Sequence, residues 1–147
     1  MTPSPEFFSG YLLYFIQRIA NEGDTEESGL QNYYASRIVQ RTGLHEHEIS
    51  AARYIAANFT PGERRIIEIG MGIGTLSLYL GVLGYWTIGI EVDAKRLSLA
   101  RRLRDSAVTV WPEVSFSYTI AEGFFPAVLA EMEPLRNDAL LLFTNLD

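Results

Sequence analysis

A chain of 147 residues fits one folding unit with a sizeable core, and 48% hydrophobic with 20% charged residues excludes a disordered or fibrous protein. Its net charge of −6 disfavours nucleic acid and anionic lipid surfaces as partners. The absence of cysteine excludes disulfides, thiolate metal sites and cysteine nucleophiles, and fits a reducing compartment, with the cytoplasm as the expected location.

The opening residues, MTPSPEFF, lack the basic region and small-residue cleavage site of an export signal. Ser4-Pro5 offers a helix cap followed by proline at the first helical position. Phe8, Tyr11, Leu12, Phe15, Ile16 and Ile19 then recur at helical spacing, which predicts a helix over about 5–21. The acidic, glycine-containing stretch 21–29 reads as a solvated loop. Leu30, Tyr34 and Ile38 mark a weaker helix over 30–41, with Gly43 expected to end it. Ile49, Ala52, Ile55 and Phe59 mark a third over 45–58, stopped by Thr60-Pro61-Gly62. Residues 1–60 thus read as an N-terminal helical layer, and 61–147 as the second part of the same folding unit.

Beyond Pro61 the period changes. Ile66-Ile67-Glu68-Ile69 is a short run suited to a buried parallel strand ending at Gly70. A helix over about 75–83, a strand over 86–92 and a helix from an Asp93 cap to about 105 follow. The last places Leu97, Ala100 and Leu103 inward and Arg96, Arg101, Arg102 and Arg104 outward. Alternation of Val114, Phe116, Tyr118 and Ile120 with polar residues predicts an edge strand over 114–120. A helix over 125–132 and an apolar strand over 139–143 complete the pattern. Residues 69–90 carry no charge and match a membrane span in length, but their six glycines and flanking Glu68 and Glu91 read as strand, turn, helix and strand. Strand–helix alternation predicts an α/β fold with a parallel sheet of about four strands, and a ligand site at the carboxyl ends of those strands.

The segment Glu68-Ile69-Gly70-Met71-Gly72-Ile73-Gly74 lies between the first such strand and its helix, where glycine permits positive φ and close approach of a ligand to the backbone. A dinucleotide turn needs G-x-G-x-x-G with glycine or alanine last; counting from Gly70 that place is Thr75, and from Gly72 it is Ser77. A nicotinamide-dependent oxidoreductase is therefore disfavoured. The segment resembles the E/D-x-G-x-G-x-G signature of the class I, Rossmann-like S-adenosylmethionine-dependent methyltransferases, from Arg64 to the C-terminus and most specifically over Ile66–Leu97.

The resemblance implies S-adenosylmethionine as cofactor. Glu68, Gly70, Met71, Gly72 and Gly74 would surround its methionine portion, with Glu68 near the ammonium group. Glu91, with Val92 beside it, would accept the ribose hydroxyls, and Glu122 in Ile120-Ala121-Glu122-Gly123 would meet the adenine amino group. Otherwise Glu91 would only cap the following helix. Thr144-Asn145-Leu146-Asp147 stands where the family often presents an acid or asparagine near the transferred methyl, so Asn145 and Asp147 are the catalytic candidates. It is not the N-P-P-Y motif of amino-methylating nucleic-acid enzymes, and with the acidic charge this points to a small-molecule acceptor.

The alternative is a cofactor-binding regulatory or assembly module without turnover. No metal is expected, since His45 and His47 stand two apart and on a helix would point to different faces. Tyr33 and Tyr34 read as core. The family's sheet usually has seven strands against the four counted here. An uncovered apolar strand over 140–143 therefore predicts self-association through the C-terminal strand, or a longer parent chain.

Overall fold

The computed structural model describes residues 2–22, 30–124, 127 and 139–143. Its backbone divides into two units, Met1–Ile49 and Ser50–Asp147.

The first unit holds α1 (Pro5–Glu22), α2 (Leu30–Gln40) and the start of α3 (Glu46–Asn58). Ser4 caps α1 as expected, its Oγ accepting the Phe7 amide at 3.1 Å, and Phe8, Leu12, Phe15, Ile16 and Ile19 are buried. Gly43 does not end α2. The chain reverses at Arg41, the one non-glycine with positive φ (55°) among the described residues, where the Thr42 amide reaches the Arg37 carbonyl at 3.1 Å. Gly43 serves close approach to α1, because a Cβ there would lie 2.3 Å from the Ser9 carbonyl oxygen. His45 precedes α3, and its amide donates to Glu48 Oε1 at 2.9 Å, a capping-box bond. Because His45 is outside the helix, its ring turns back and stacks on His47 at 5.5 Å; the expectation that the two rings diverge fails there.

The second unit continues α3 and adds β1 (Arg65–Ile69), α4 (Thr75–Val82), β2 (Trp86–Glu91), α5 (Ala94–Val110), α6 (Val114–Ser117), β3 (Tyr118–Glu122) and β4 (Leu140–Phe143). The strands form one all-parallel sheet in the order β3-β2-β1-β4. The uncharged stretch 69–90 resolves into the end of β1, a turn, α4 and β2. Among the described residues no helix is long and apolar enough to cross a membrane.

On one sheet face Ile67, Ile69 and Ile90 form a buried cluster with Ile88, Ala121 and Ala139 at its margin. Residues of the opposite parity, Glu68, Gly89 and Tyr118, face α4 and its preceding turn: Glu68 meets Ser77, and Gly81 packs on Tyr118. The short helix α4 is buried at nearly every position, which explains its continuous rather than periodic apolarity.

The predicted edge strand begins four residues late. Pro112 sets a helical turn in which the Ser115 amide bonds the Pro112 carbonyl and the Ser117 amide bonds that of Glu113, so Val114–Ser117 is α6. Phe116, one of the alternating apolar residues of that expected strand, is 87% exposed. Helix α5 also runs five residues further than expected. Arg104 leaves its wet face, donating from Nε to the Tyr118 carbonyl and from Nη2 to the Ser115 carbonyl, both at 3.0 Å. The helix expected over 125–132 lies outside the described residues apart from the helical Ala127.

Candidate functional site

The chain order β1, β2, β3 runs outward to one side of β1 and then returns to β4 on the other, which creates a switch point at the carboxyl end of β1. There the backbone passes through Gly70, Gly72 and Gly74 at φ of 69°, 65° and 79°, a left-handed series that side-chain-bearing residues rarely adopt. Three main-chain bonds hold the turn: the Met71 amide to the Ile90 carbonyl at 3.0 Å, the Gly74 amide to the Met71 carbonyl at 3.0 Å, and the Leu78 amide to the Gly74 carbonyl at 2.8 Å. Gly74 is the N-cap of α4 and brings no side-chain acceptor to it. A Cβ at Gly72 would meet nothing within 4 Å, so the outer side of the turn is open among the described residues.

Glu91 closes this turn from β2. Its Oε1 accepts the Gly72 amide at 3.0 Å, and its Oε2 accepts the amides of Val92 at 2.7 Å and Asp93 at 3.0 Å. Capping of α5 falls instead to Asp93, whose Oδ1 accepts the Arg96 amide at 2.9 Å. One carboxylate thus ties the β1–α4 and β2–α5 turns together. A carboxylate offers about four acceptor positions, of which these amides take three, on a side chain that is itself buried.

Val92, next in the chain, is 45% exposed, and Glu122 pairs in register with Glu91 at the end of the adjacent strand and is exposed. The fold therefore gathers Gly70, Gly72, Gly74, Glu91, Val92 and Glu122 at the carboxyl ends of three strands. Two of the expected residues turn inward. The Glu68 carboxyl is fully buried and accepts the Ser77 hydroxyl at 2.6 Å, and the Met71 thioether lies under the turn. Asn145 and Asp147 lie outside the described residues, as do the side chains of Tyr33 and Tyr34. No trio of His, Cys, Asp or Glu able to hold a metal occurs among the described residues.

Ser77 and Tyr118 belong to this region and were not legible in the motif. Ser77 stands three residues past the last glycine of the turn, and Tyr118 reads as an ordinary apolar strand position. Burial holds the Tyr118 phenol well above its usual range, and the neighbouring Glu68 adds to this against the opposing charge of Arg104. Its hydroxyl is therefore a proton donor throughout the ordinary pH range.

An all-parallel sheet in this order, a triple-glycine turn after β1 and an acid closing it from the end of β2 together define the architecture. The fold is a Rossmann-like, all-parallel α/β sheet. Several solved methyltransferases align with this fold over about half of the chain. The glycopeptide N-methyltransferase MtfA complexed with S-adenosyl-L-methionine aligns at 23% identity over 51% of this chain and 29% of its own, with a TM-score of 0.43. The C-terminal domain of precorrin-6Y C5,15-methyltransferase from Rhodobacter capsulatus aligns at 23% identity over 58% and 44%, with a TM-score of 0.46. CcbJ methyltransferase from Streptomyces caelestis aligns at 23% identity over 55% and 30%, with a TM-score of 0.43. The chain spans less than half the length of each of these structures. No protein-family model and no curated protein matches it.

Proposed function

We propose that this chain binds S-adenosylmethionine on the open side of the 70–74 turn and acts as a methyltransferase on a small-molecule acceptor, with the cytoplasm as its location. The observation that carries the reading is the Glu91 carboxylate on the Gly72 amide at 3.0 Å. Ribose hydroxyls would donate to this carboxylate. An acid at this place also fits nicotinamide enzymes, and what disfavours them is Thr75 or Ser77 where a dinucleotide turn has its last glycine.

The residues present fit such a cofactor. Gly70, Gly72 and Gly74 would admit the methionine portion against bare backbone, Glu91 would accept a ribose hydroxyl, and Val92 would offer an apolar contact to the adenine. Glu122 would receive the adenine amino group. The bound cofactor supplies a methyl group on an already activated sulfonium. The protein's part is then alignment of donor and acceptor for in-line displacement, with a base needed only where the acceptor carries a proton. Asn145 and Asp147 are proposed for that acceptor side. Glu68, turned to Ser77, would act on the ammonium group only through the first turn of α4.

Thermal denaturation of the full chain with S-adenosylhomocysteine, NAD and NADP tests the cofactor class, since a ligand bound to the native state raises the midpoint. A rise with S-adenosylhomocysteine alone supports the reading, and a rise with a nicotinamide cofactor overturns it. Transfer of labelled methyl to candidate small molecules then separates an enzyme from a binding module without turnover.

A further inference from the structure

The underside of the glycine turn is as specifically built as its open side. Met71, second residue of the turn, points its thioether inward, where the Tyr118 hydroxyl donates to Sδ at 3.2 Å. Both side chains are buried. Three glycines from three different elements make room for this pair. A Cβ at Gly74 would lie 2.3 Å from the Tyr118 hydroxyl oxygen and 3.1 Å from Met71 Sδ. One at Gly89 of β2 would lie 2.1 Å from Met71 Sδ, and one at Gly81 of α4 would lie 2.9 Å from Tyr118 Cβ. These clearances seat both side chains against bare backbone. They let a phenol from β3 pass beneath α4 and reach the turn with its hydroxyl.

Met71 is an unbranched side chain with three rotatable bonds, so packing alone holds it poorly. The hydroxyl gives its sulfur a fixed partner, and the main chain of Met71 carries that order into the turn through its bonds to Ile90 and Gly74. Arg104 holds Tyr118 in turn, by its backbone carbonyl. We infer that Tyr118 is a positioning residue for the cofactor turn, acting through Met71 to hold Gly72 and Gly74 in the geometry that receives the ligand. The inference rests on the cofactor reading above for its functional consequence. The ordering of the turn itself can be measured without ligand.

The test is Tyr118→Phe in the full chain, which keeps the ring and removes the hydroxyl. Two readouts are compared: amide hydrogen exchange over 70–74 in the free protein, and calorimetric affinity for S-adenosylhomocysteine. We expect faster exchange confined to the turn, unchanged exchange in β1 and β2, and affinity weakened by roughly three- to tenfold, the size of one modest hydrogen bond. In a Met71→Leu background, which removes the acceptor, Tyr118→Phe should have no further effect on either readout. A lower melting midpoint with turn exchange and affinity at wild-type values would overturn the inference and leave Tyr118 as packing. If wild-type protein fails to bind S-adenosylhomocysteine, the cofactor reading fails, and the exchange measurement still decides whether Tyr118 orders the turn.

Discussion

The Glu91 carboxylate accepts the Gly72 amide at 3.0 Å and so joins two turns that lie 19 residues apart in the chain. Glu91→Ala removes both that tie and the acceptor for a ribose hydroxyl. Affinity for S-adenosylhomocysteine should fall by roughly 1.5–3 kcal/mol, the range for hydrogen bonds to a charged group. Calorimetry checks it. A fall in melting midpoint with affinity intact would make Glu91 only a tie between turns.

Gly72 is open to solvent on its Cβ side yet sits at φ 65°. Gly72→Ala should therefore cost about 1–2 kcal/mol of stability from the left-handed backbone alone. It should also weaken cofactor binding by more than tenfold, or about 1.4 kcal/mol, because its methyl group occupies the ligand's side of the turn. Gly72→Val, being β-branched, should cost more stability still. Urea denaturation beside calorimetry separates the two effects.

What could be read from the chain follows how local each feature is. The helix cap at Ser4, the cap at Asp93, the parallel sheet of four strands and the glycine turn depend on neighbouring residues or on a chain-wide alternation, and all are present as expected. The strand expected from Val114 was overridden by Pro112, whose fixed φ favours a helical turn over the alternating pattern that follows it. Gly43 does not end its helix because its place is set by contact with Ser9, more than thirty positions away. The clasp of Tyr118 on Met71 was hidden for the same reason, since Gly74, Gly81 and Gly89 converge on it from separate elements and share no spacing. Glu68 and Met71 belong to the turn by position, but their buried side chains face the protein.

Gly89 and Met71 should be energetically coupled. Gly89→Ala places a Cβ 2.1 Å from Met71 Sδ and should cost roughly 1–3 kcal/mol by overpacking. In a Met71→Ala background the clash is gone, and the same substitution should cost at least about 1 kcal/mol less. A double-mutant cycle in urea measures the difference. Additive effects would mean that the thioether readily leaves its place above Gly89.

His45 should make stability depend on pH. Burial first, then the Arg37 charge and His47, hold its pKa below the ordinary 6.5, with Glu48 opposing. The unfolded chain therefore binds the proton more readily than the folded one, so stability rises with pH. That contribution is complete above about 6.5 and is lost as pH falls below it, levelling off under the folded value. His45→Asn keeps a good N-cap residue and should flatten this part of the profile, measured as melting midpoint between about pH 5 and 7.5.

Leu141 and Phe143 of β4 are 39% and 44% exposed, and we propose that a second copy of the chain pairs with or covers this strand. Leu141→Lys should shift the protein towards monomer in light scattering. A wild-type monomer at high concentration would remove the proposal.

The central claim is tested most directly by calorimetric titration of the full chain with S-adenosylhomocysteine, with NADP as the contrasting ligand. The account predicts saturable binding of one S-adenosylhomocysteine per chain, lost or strongly weakened in Glu91→Ala, and no binding of NADP. Binding of NADP, or no heat from S-adenosylhomocysteine with protein shown to be folded by circular dichroism, would contradict it.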